Sequence, residues 1–222
     1  MKEHCTAVVL AAGRGTRMGT QTAKQYLELQ GKPILVYALE VFEQSAVVDD
    51  ILLMTDKDHV EYCKKEICEK YGIKKVSAVA PGGKERYESV WKALCILKER
   101  GQSGFVMIHD GARPFVKKDL LDRLVVGMEE HKAVLAMVPC KDTIKRVKDG
   151  KVVETLIRSE LMQAQTPQAF DTVLIRNAYK EAIENNIQAT DDASMLELQG
   201  KDVYVVEGDY DNIKITTKED LK

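Results

Sequence analysis

An α/β protein built on a parallel sheet covered by helices, with a two-stranded arm projecting from it, is what this sequence predicts. Three observations carry the expectation. Short β-rich apolar runs alternate with helix-patterned segments, the pattern of successive βαβ units. One later stretch breaks that rhythm with two alternating runs around an Asp-Gly pair. The chain has 222 residues, 45% hydrophobic and 31% charged, enough for one compact core and too apolar for a disordered chain. No linker, internal repeat or low-complexity tract divides it, so residues 1–222 are expected to form a single domain with an arm over about 141–157.

Each element follows in order. The expected strands are 6–10, 50–54, 75–79, 104–108 and 133–138. A helix over 33–43 opens with proline, whose fixed φ suits a first turn. Residues 58–71 place Val60, Cys63, Ile67 and Tyr71 on one helical face, and 85–99 do the same with Val90, Ala93, Leu94 and Leu97. Runs 143–147 and 151–156 flank Lys148-Asp149-Gly150 and predict the hairpin. A lone hairpin is marginally stable in water, so it should pack on its own chain or on a partner subunit. Helices over 172–185 and 192–199 and strands over 202–206 and 212–216 complete the chain.

Composition narrows the function. With 33 basic and 35 acidic side chains the formal charge is −2, which disfavours a generic nucleic-acid-coating protein. No run approaches the roughly 20 apolar residues of a membrane-spanning helix. The five cysteines, Cys5, Cys63, Cys68, Cys95 and Cys140, are odd in number and scattered, which argues against a disulfide framework. Cys63 and Cys68, five apart on a helix, read as core residues. A cytoplasmic protein is expected.

The densest chemistry follows the first strand, in Leu10-Ala11-Ala12-Gly13-Arg14-Gly15-Thr16-Arg17-Met18-Gly19. Gly13 and Gly15 let backbone N–H groups approach a ligand, and Ala11 and Ala12 leave room beside them. From His4 to Leu27 there are three cations, Arg14, Arg17 and Lys24, and no acid. A P-loop would need Gly-Lys-Ser/Thr at its end, and the dinucleotide fingerprint would need glycine where Met18 stands. Two glycines alone would suit a structural turn; the cations in an acid-free window point to a triphosphate.

These residues, with Lys24-Gln25-Tyr26, resemble the signature of sugar-phosphate and polyol-phosphate nucleotidylyltransferases. Gly82-Gly83 with Arg86 and Ser89-Val90, His109 to Phe115, Asp142 to Lys145, Gln165 to Phe170, Thr190 to Ser194 and Asp211 to Thr216 narrow it to the cytidylyltransferase branch that takes a methylerythritol phosphate acceptor. The resemblance runs from residue 6 to about 221. It implies a Rossmann-like three-layer αβα nucleotidyltransferase fold with a mostly parallel sheet, and a reaction between CTP and that acceptor in non-mevalonate isoprenoid synthesis with Mg2+ present. It also implies a homodimer joined through the hairpin arm, with no nucleic acid or membrane partner.

Carried over residue by residue, the resemblance implies that Arg17 and Lys24 hold the triphosphate and offset its developing charge, and that Arg158 and Lys214 position the acceptor phosphate. Ala11, Ala12, Gly13 and Gly15 would present backbone to the nucleotide. Gly83 and Ser89 fall where cytosine is read and Gly111 near the ribose. Thr143, Thr166 and Thr190 fall at substrate and phosphate contacts. Asp110 is the candidate metal residue, since Mg2+ favours one or two carboxylates plus phosphate oxygens.

The sequence departs from the family pattern at Lys84, where an acid often follows Gly-Gly, at Ile157 before Arg158, at Met162, where tryptophan is usual, and in stopping soon after Leu221. His109 is read as structural, because an attacking phosphate needs little help from a base. For Asp191 and Asp192, capping of the next helix and substrate binding stand level. Ribitol-phosphate cytidylyltransferases share most motifs but tend to carry Ala-Gly-Gly and Asp-Ser-Val-Arg where this chain has Ala11-Ala12-Gly13 and Asp110-Gly111-Ala112-Arg113. A non-catalytic nucleotide sensor of the same fold would lose the acceptor-positioning cations, which are present.

Overall fold

β1 (Cys5–Ala11), buried along nearly its whole length, is an interior strand of a seven-stranded sheet. Burial on both faces explains why it reads as a continuous apolar run rather than an alternating one. The computed structural model describes residues 3–13, 23–187 and 189–221, and the glycine-loop residues Gly15 and Arg17 lie outside them. A two-residue ladder of β2 (Glu28–Leu29) and β3 (Lys32–Pro33) leads into α1 (Ile34–Gln44), with Pro33 just before the helix rather than in it. Then come β4 (Asp50–Thr55), α2 (Val60–Tyr62) continuing as a wider π-type turn over Cys63–Glu69, β5 (Val76–Pro81), α3 (Arg86–Glu99), β6 (Phe105–Asp110), α4 (Lys118–Glu130) and β7 (Ala133–Pro139). β8 (Lys145–Lys148) and β9 (Lys151–Thr155) form the arm, and β10 (Met162–Asp171), α5 (Thr172–Glu184), α6 (Ser194–Glu197) and β11 (Tyr204–Glu207) close the chain.

The sheet order is β11-β7-β10-β6-β1-β4-β5. All neighbours are parallel except at β10, which runs antiparallel to both β6 and β7. Period-two alternation splits the core. Ala7, Val9, Ile51 and Met107 pack under α1 and α4 against Leu39, Phe42 and Leu124. Val8, Leu52, Val106 and Ile108 pack on the opposite face against Leu94 of α3 and Ile175 and Tyr179 of α5. Helices cover both faces, giving the three layers expected. None of the cysteines is in a disulfide, and Cys5, Cys63 and Cys68 are buried.

One expectation needs correcting, and one strand is additional. The strand expected over 212–216 is irregular: instead of a ladder, Ile215 N–H donates to the Ala112 carbonyl and Asn212 Nδ2 donates to the Thr166 carbonyl. Met162–Asp171 forms a strand that no apolar pattern marks, because Gln163, Gln165, Thr166 and Gln168 interrupt it. Its buried polar residues are satisfied by side-chain hydrogen bonds, with Gln165 Nε2 to the Asp209 carbonyl at 2.7 Å and Gln168 Nε2 to Asp191 at 2.9 Å.

The arm turns at Asp149 and Gly150, both at positive φ (48° and 76°), as a tight two-residue hairpin demands. All nine residues of β8 and β9 are exposed, with Val147 and Val153 at 58% and Val152 at 61%. The described residues of its own chain therefore do not cover it.

Candidate active site

The carboxyl ends of β1 and β6 meet where the connections diverge to opposite sides of the sheet, the switch point at which α/β sheets open a crevice. A cleft of about 340 Å³ lies there. It gathers Ala11, Ala12, Gly13, Lys24, Gly83, Ser89, Asp110 and Lys214 of the predicted residues, together with Gln25, Lys84 and Arg86.

The glycine loop is pinned where it leaves the strand. Gln25 is buried, and its Nε2 donates to the carbonyls of Ala11 at 2.5 Å and Gly13 at 3.0 Å. This fixes the short helical turn Lys24–Tyr26 against β1, so Lys24 faces the cleft. Behind it the Tyr26 hydroxyl bonds Thr55 Oγ1 at 2.5 Å, and burial keeps the Tyr26 phenol far above its usual range.

On the opposite wall, the β5–α3 turn comes so close that a Cβ on Gly82 would lie 2.6 Å from both Ala12 Cβ and Ser89 Oγ. Only glycine permits that approach. Gly83 N–H donates to Ser89 Oγ at 2.9 Å, and the helix opens with a reciprocal Glu85–Glu88 capping box. Gly111 sits just beyond the lining, its N–H donating to the Leu10 carbonyl at 2.9 Å.

Asp110 is the electrostatic centre. Arg86 Nε donates to its Oδ1 at 3.0 Å and Lys214 Nζ to its Oδ2 at 2.7 Å. Burial alone would raise this carboxyl, but Arg86 and then Lys214 hold it well below the usual carboxylate range. The two Nη atoms of Arg86 reach Asp192, which is fully buried, at 2.7 and 2.6 Å. Burial would pull Arg86 down, and Asp192 and Asp110 instead hold it well above its ordinary value.

Asp110 also starts a backbone-to-core chain. Its N–H donates to Thr166 Oγ1 at 3.0 Å, and Thr166 Oγ1 lies 3.1 Å from His109 Nδ1. His109 Nε2 lies 3.1 Å from the Arg113 carbonyl, which can only accept, so the neutral ring carries its proton on Nε2 and accepts from Thr166 at Nδ1. Burial pushes His109 down to about 4. Both ring nitrogens are thus occupied in holding the floor of the site.

The remaining predicted residues are not brought into the cleft. Thr166 is buried behind it, and Thr190 lines a separate cavity of about 210 Å³ on the far side of Arg86. Thr143 and Arg158 stand at the arm, where Arg158 Nη1 donates to the Lys141 carbonyl at 3.1 Å. Asp191 lies just ahead of α6 and accepts from Ser194 N–H at 3.0 Å and from the Ser194 hydroxyl. Its neighbour Asp192 instead binds Arg86. Arg86 and Gln25 appeared in the sequence motifs without an assigned task; Asp192 as the partner of Arg86, 106 residues away, has no signal in the sequence.

A cationic, glycine-walled cleft at the switch point of a mostly parallel sheet places the protein in the class of α/β proteins that bind nucleotide phosphates. The family model for 2-C-methyl-D-erythritol 4-phosphate cytidylyltransferase (IspD) matches residues 5–222, and the chain belongs to this family. It is 49% identical over 218 residues to the 2-C-methyl-D-erythritol 4-phosphate cytidylyltransferase of Clostridium beijerinckii, covering 97% of this chain and 94% of that one. The crystal structure of 4-diphosphocytidyl-2C-methyl-D-erythritol synthase from Anaerococcus prevotii superposes with a TM-score of 0.86 at 33% identity, covering 100% of this chain and 96% of that one. The Francisella tularensis 2-C-methyl-D-erythritol 4-phosphate cytidylyltransferase gives 0.83, also at 33% identity, over 99% and 97% of the two chains.

Proposed function

We propose that the chain joins CTP and 2-C-methyl-D-erythritol 4-phosphate to give 4-diphosphocytidyl-2-C-methyl-D-erythritol and pyrophosphate, a step of non-mevalonate isoprenoid synthesis. A phosphate oxygen of the acceptor forms a bond to the α-phosphorus of CTP, and the bond from that phosphorus to the bridging oxygen breaks as pyrophosphate leaves. Such a displacement asks the protein for in-line positioning and charge neutralisation rather than a base. The observation that carries the reading is one cleft in which Lys24 and Lys214 face a glycine-walled pocket and Asp110 is already neutralised by Arg86 and Lys214.

In this reading Lys24 and Arg17 hold the triphosphate, and Ala11, Ala12, Gly13 and Gly15 offer it backbone. Gly83 and Ser89 read the base, with Gly111 beside the ribose. Lys214 positions the acceptor phosphate, and Thr166 and Thr190 support the substrates. Each Asp110 oxygen takes one cation and retains a lone pair, and one carboxylate plus phosphate oxygens suits Mg2+. Among the described residues no group of three His, Cys, Asp or Glu could hold a metal alone, so the phosphates would share the coordination. When bound, the ion would add to the neutralisation of triphosphate charge.

Arg158 and Thr143 are proposed to act from the arm on the cleft of a second copy. The exposed valines of the hairpin support such a homodimer, because a bare hairpin needs cover. Five cysteines without a disulfide fit a reducing cytoplasm, and the two core layers around one sheet fit a single domain.

The test is pyrophosphate release from CTP and Mg2+ with methylerythritol phosphate or ribitol 5-phosphate, run side by side. Methylerythritol phosphate should turn over faster. Faster turnover with ribitol phosphate, or none with either, defeats the proposal.

A further inference from the structure

We propose that Asp192 is a positioning residue for the transfer reaction: by taking both Nη atoms of Arg86, it leaves one oxygen of Asp110 for Lys214. The inference rests on the acceptor-holding role of Lys214 given above.

Asp192 is fully buried and stands outside the cleft lining, so it acts through another residue. Its Oδ1 accepts from Arg86 Nη1 at 2.7 Å and from the Tyr179 hydroxyl at 2.5 Å, and its Oδ2 accepts from Arg86 Nη2 at 2.6 Å. Its own N–H donates to Gln168 Oε1 at 3.1 Å, which anchors it to β10. With that fork occupied, Arg86 offers Asp110 only Nε, on Oδ1, and Oδ2 accepts Lys214 at 2.7 Å.

The geometry of guanidinium makes this arrangement selective. A planar fork closes readily on a carboxylate with two parallel hydrogen bonds. Without Asp192, Arg86 is free to close on both Asp110 oxygens and displace Lys214. Charge argues the same way: Arg86 and Lys214 are balanced by Asp110 and Asp192, and removing one acid leaves two cations competing for one carboxylate.

A double-mutant cycle tests the coupling, with Asp192→Asn, Arg86→Gln and the double variant compared for kcat and for KM of each substrate, alongside thermal unfolding. Asp192→Asn should lower kcat/KM for methylerythritol phosphate by about 30-fold while KM for CTP moves less than about threefold. In the Arg86→Gln background the same substitution should cost less than about threefold. Multiplying effects, an equal loss on the CTP side, or an unchanged kcat/KM in folded Asp192→Asn would each overturn the proposal.

If Asp192→Asn does not fold, Tyr179→Phe replaces it. It keeps both ion pairs and removes one hydroxyl from Oδ1, and should lower the same parameter by roughly threefold, with no further effect once Arg86 is Gln. An unchanged parameter there also overturns the role. Wild-type enzyme separates the two readings: no pyrophosphate release with methylerythritol phosphate defeats the assigned reaction, whereas an active wild type with multiplying variants defeats only the role of Asp192.

Discussion

Lys24 donates its ammonium to the main-chain carbonyl of Ile215 at 3.0 Å, joining the flank of the glycine loop to the segment that carries Lys214, across 191 positions of sequence. The two lysines assigned to different substrates are thus anchored in one structure. The Lys214 segment is also clamped by Arg113 Nη1 on the Asn212 carbonyl at 2.7 Å and by Lys117 on Asp209 and Asp211. Lys24 and Lys214 therefore sit in one hydrogen-bonded frame.

Replacing Lys24 with alanine should lower kcat by roughly 100-fold or more, the usual cost of removing one preorganised charge-stabilising group. Steady-state pyrophosphate release on a protein with unchanged thermal stability is the measurement. A near wild-type kcat would show that Lys24 carries no developing charge.

Lys214→Ala should act on the other substrate. KM for methylerythritol phosphate should rise and kcat fall, with CTP binding by calorimetry almost intact. An equal loss of CTP affinity would contradict the division of labour. The variant also leaves Asp110 with Arg86 alone, so its carboxyl should move up from its depressed value.

Acid should weaken the fold through His109. Burial holds it at about 4 in the folded state against 6.5 ordinarily. The unfolded chain therefore binds a proton the folded chain refuses. The contribution is complete above pH 6.5 and is lost as pH falls towards 4, amounting to about 3 kcal/mol. Asp110, also depressed, contributes fully above the unfolded carboxylate value of about 3.9 and loses that contribution at still lower pH. Urea unfolding from pH 7 to 4 should show a slope that His109→Gln flattens. Identical slopes in the two proteins would rule out the assignment.

Arg158→Ala and Lys214→Ala should each be nearly inactive alone. Mixed and allowed to exchange subunits, they should recover about a quarter of wild-type activity, since half the dimers are mixed and each holds one intact site if Arg158 serves the partner's cleft. No recovery from verified mixed dimers would place Arg158 in its own chain's site. Val152→Asp should weaken the proposed dimer in sedimentation.

Local pattern made much of the fold readable. The short apolar run within 6–10 reads as a strand, and the spacing of Val90, Ala93, Leu94 and Leu97 reads as one face of a helix. Asp149-Gly150 announced its hairpin because positive φ at two successive positions needs those residues. Met162–Asp171 carries no local strand signal because Gln165 and Gln168 are buried by partners elsewhere in the chain, and nothing local marks a glutamine as satisfied. The irregular path of 212–216 has the same origin: Asn212 and Ile215 bond to Thr166 and Ala112 rather than to a neighbouring strand.

By itself the sequence determined the alternating α/β order, the hairpin and the glycine loop with its cations, because each depends on residues a few positions apart. Only the tertiary structure decided that Asp110 would be shared by Arg86 and Lys214, that Asp192 would hold the Nη edge of Arg86, and that its neighbour Asp191 would bond Ser194 and Gln168. Charge interactions act over a few ångströms in space, whatever the separation along the chain. The pairing of residues 24, 104 or 106 apart is therefore set by how strands and helices stack.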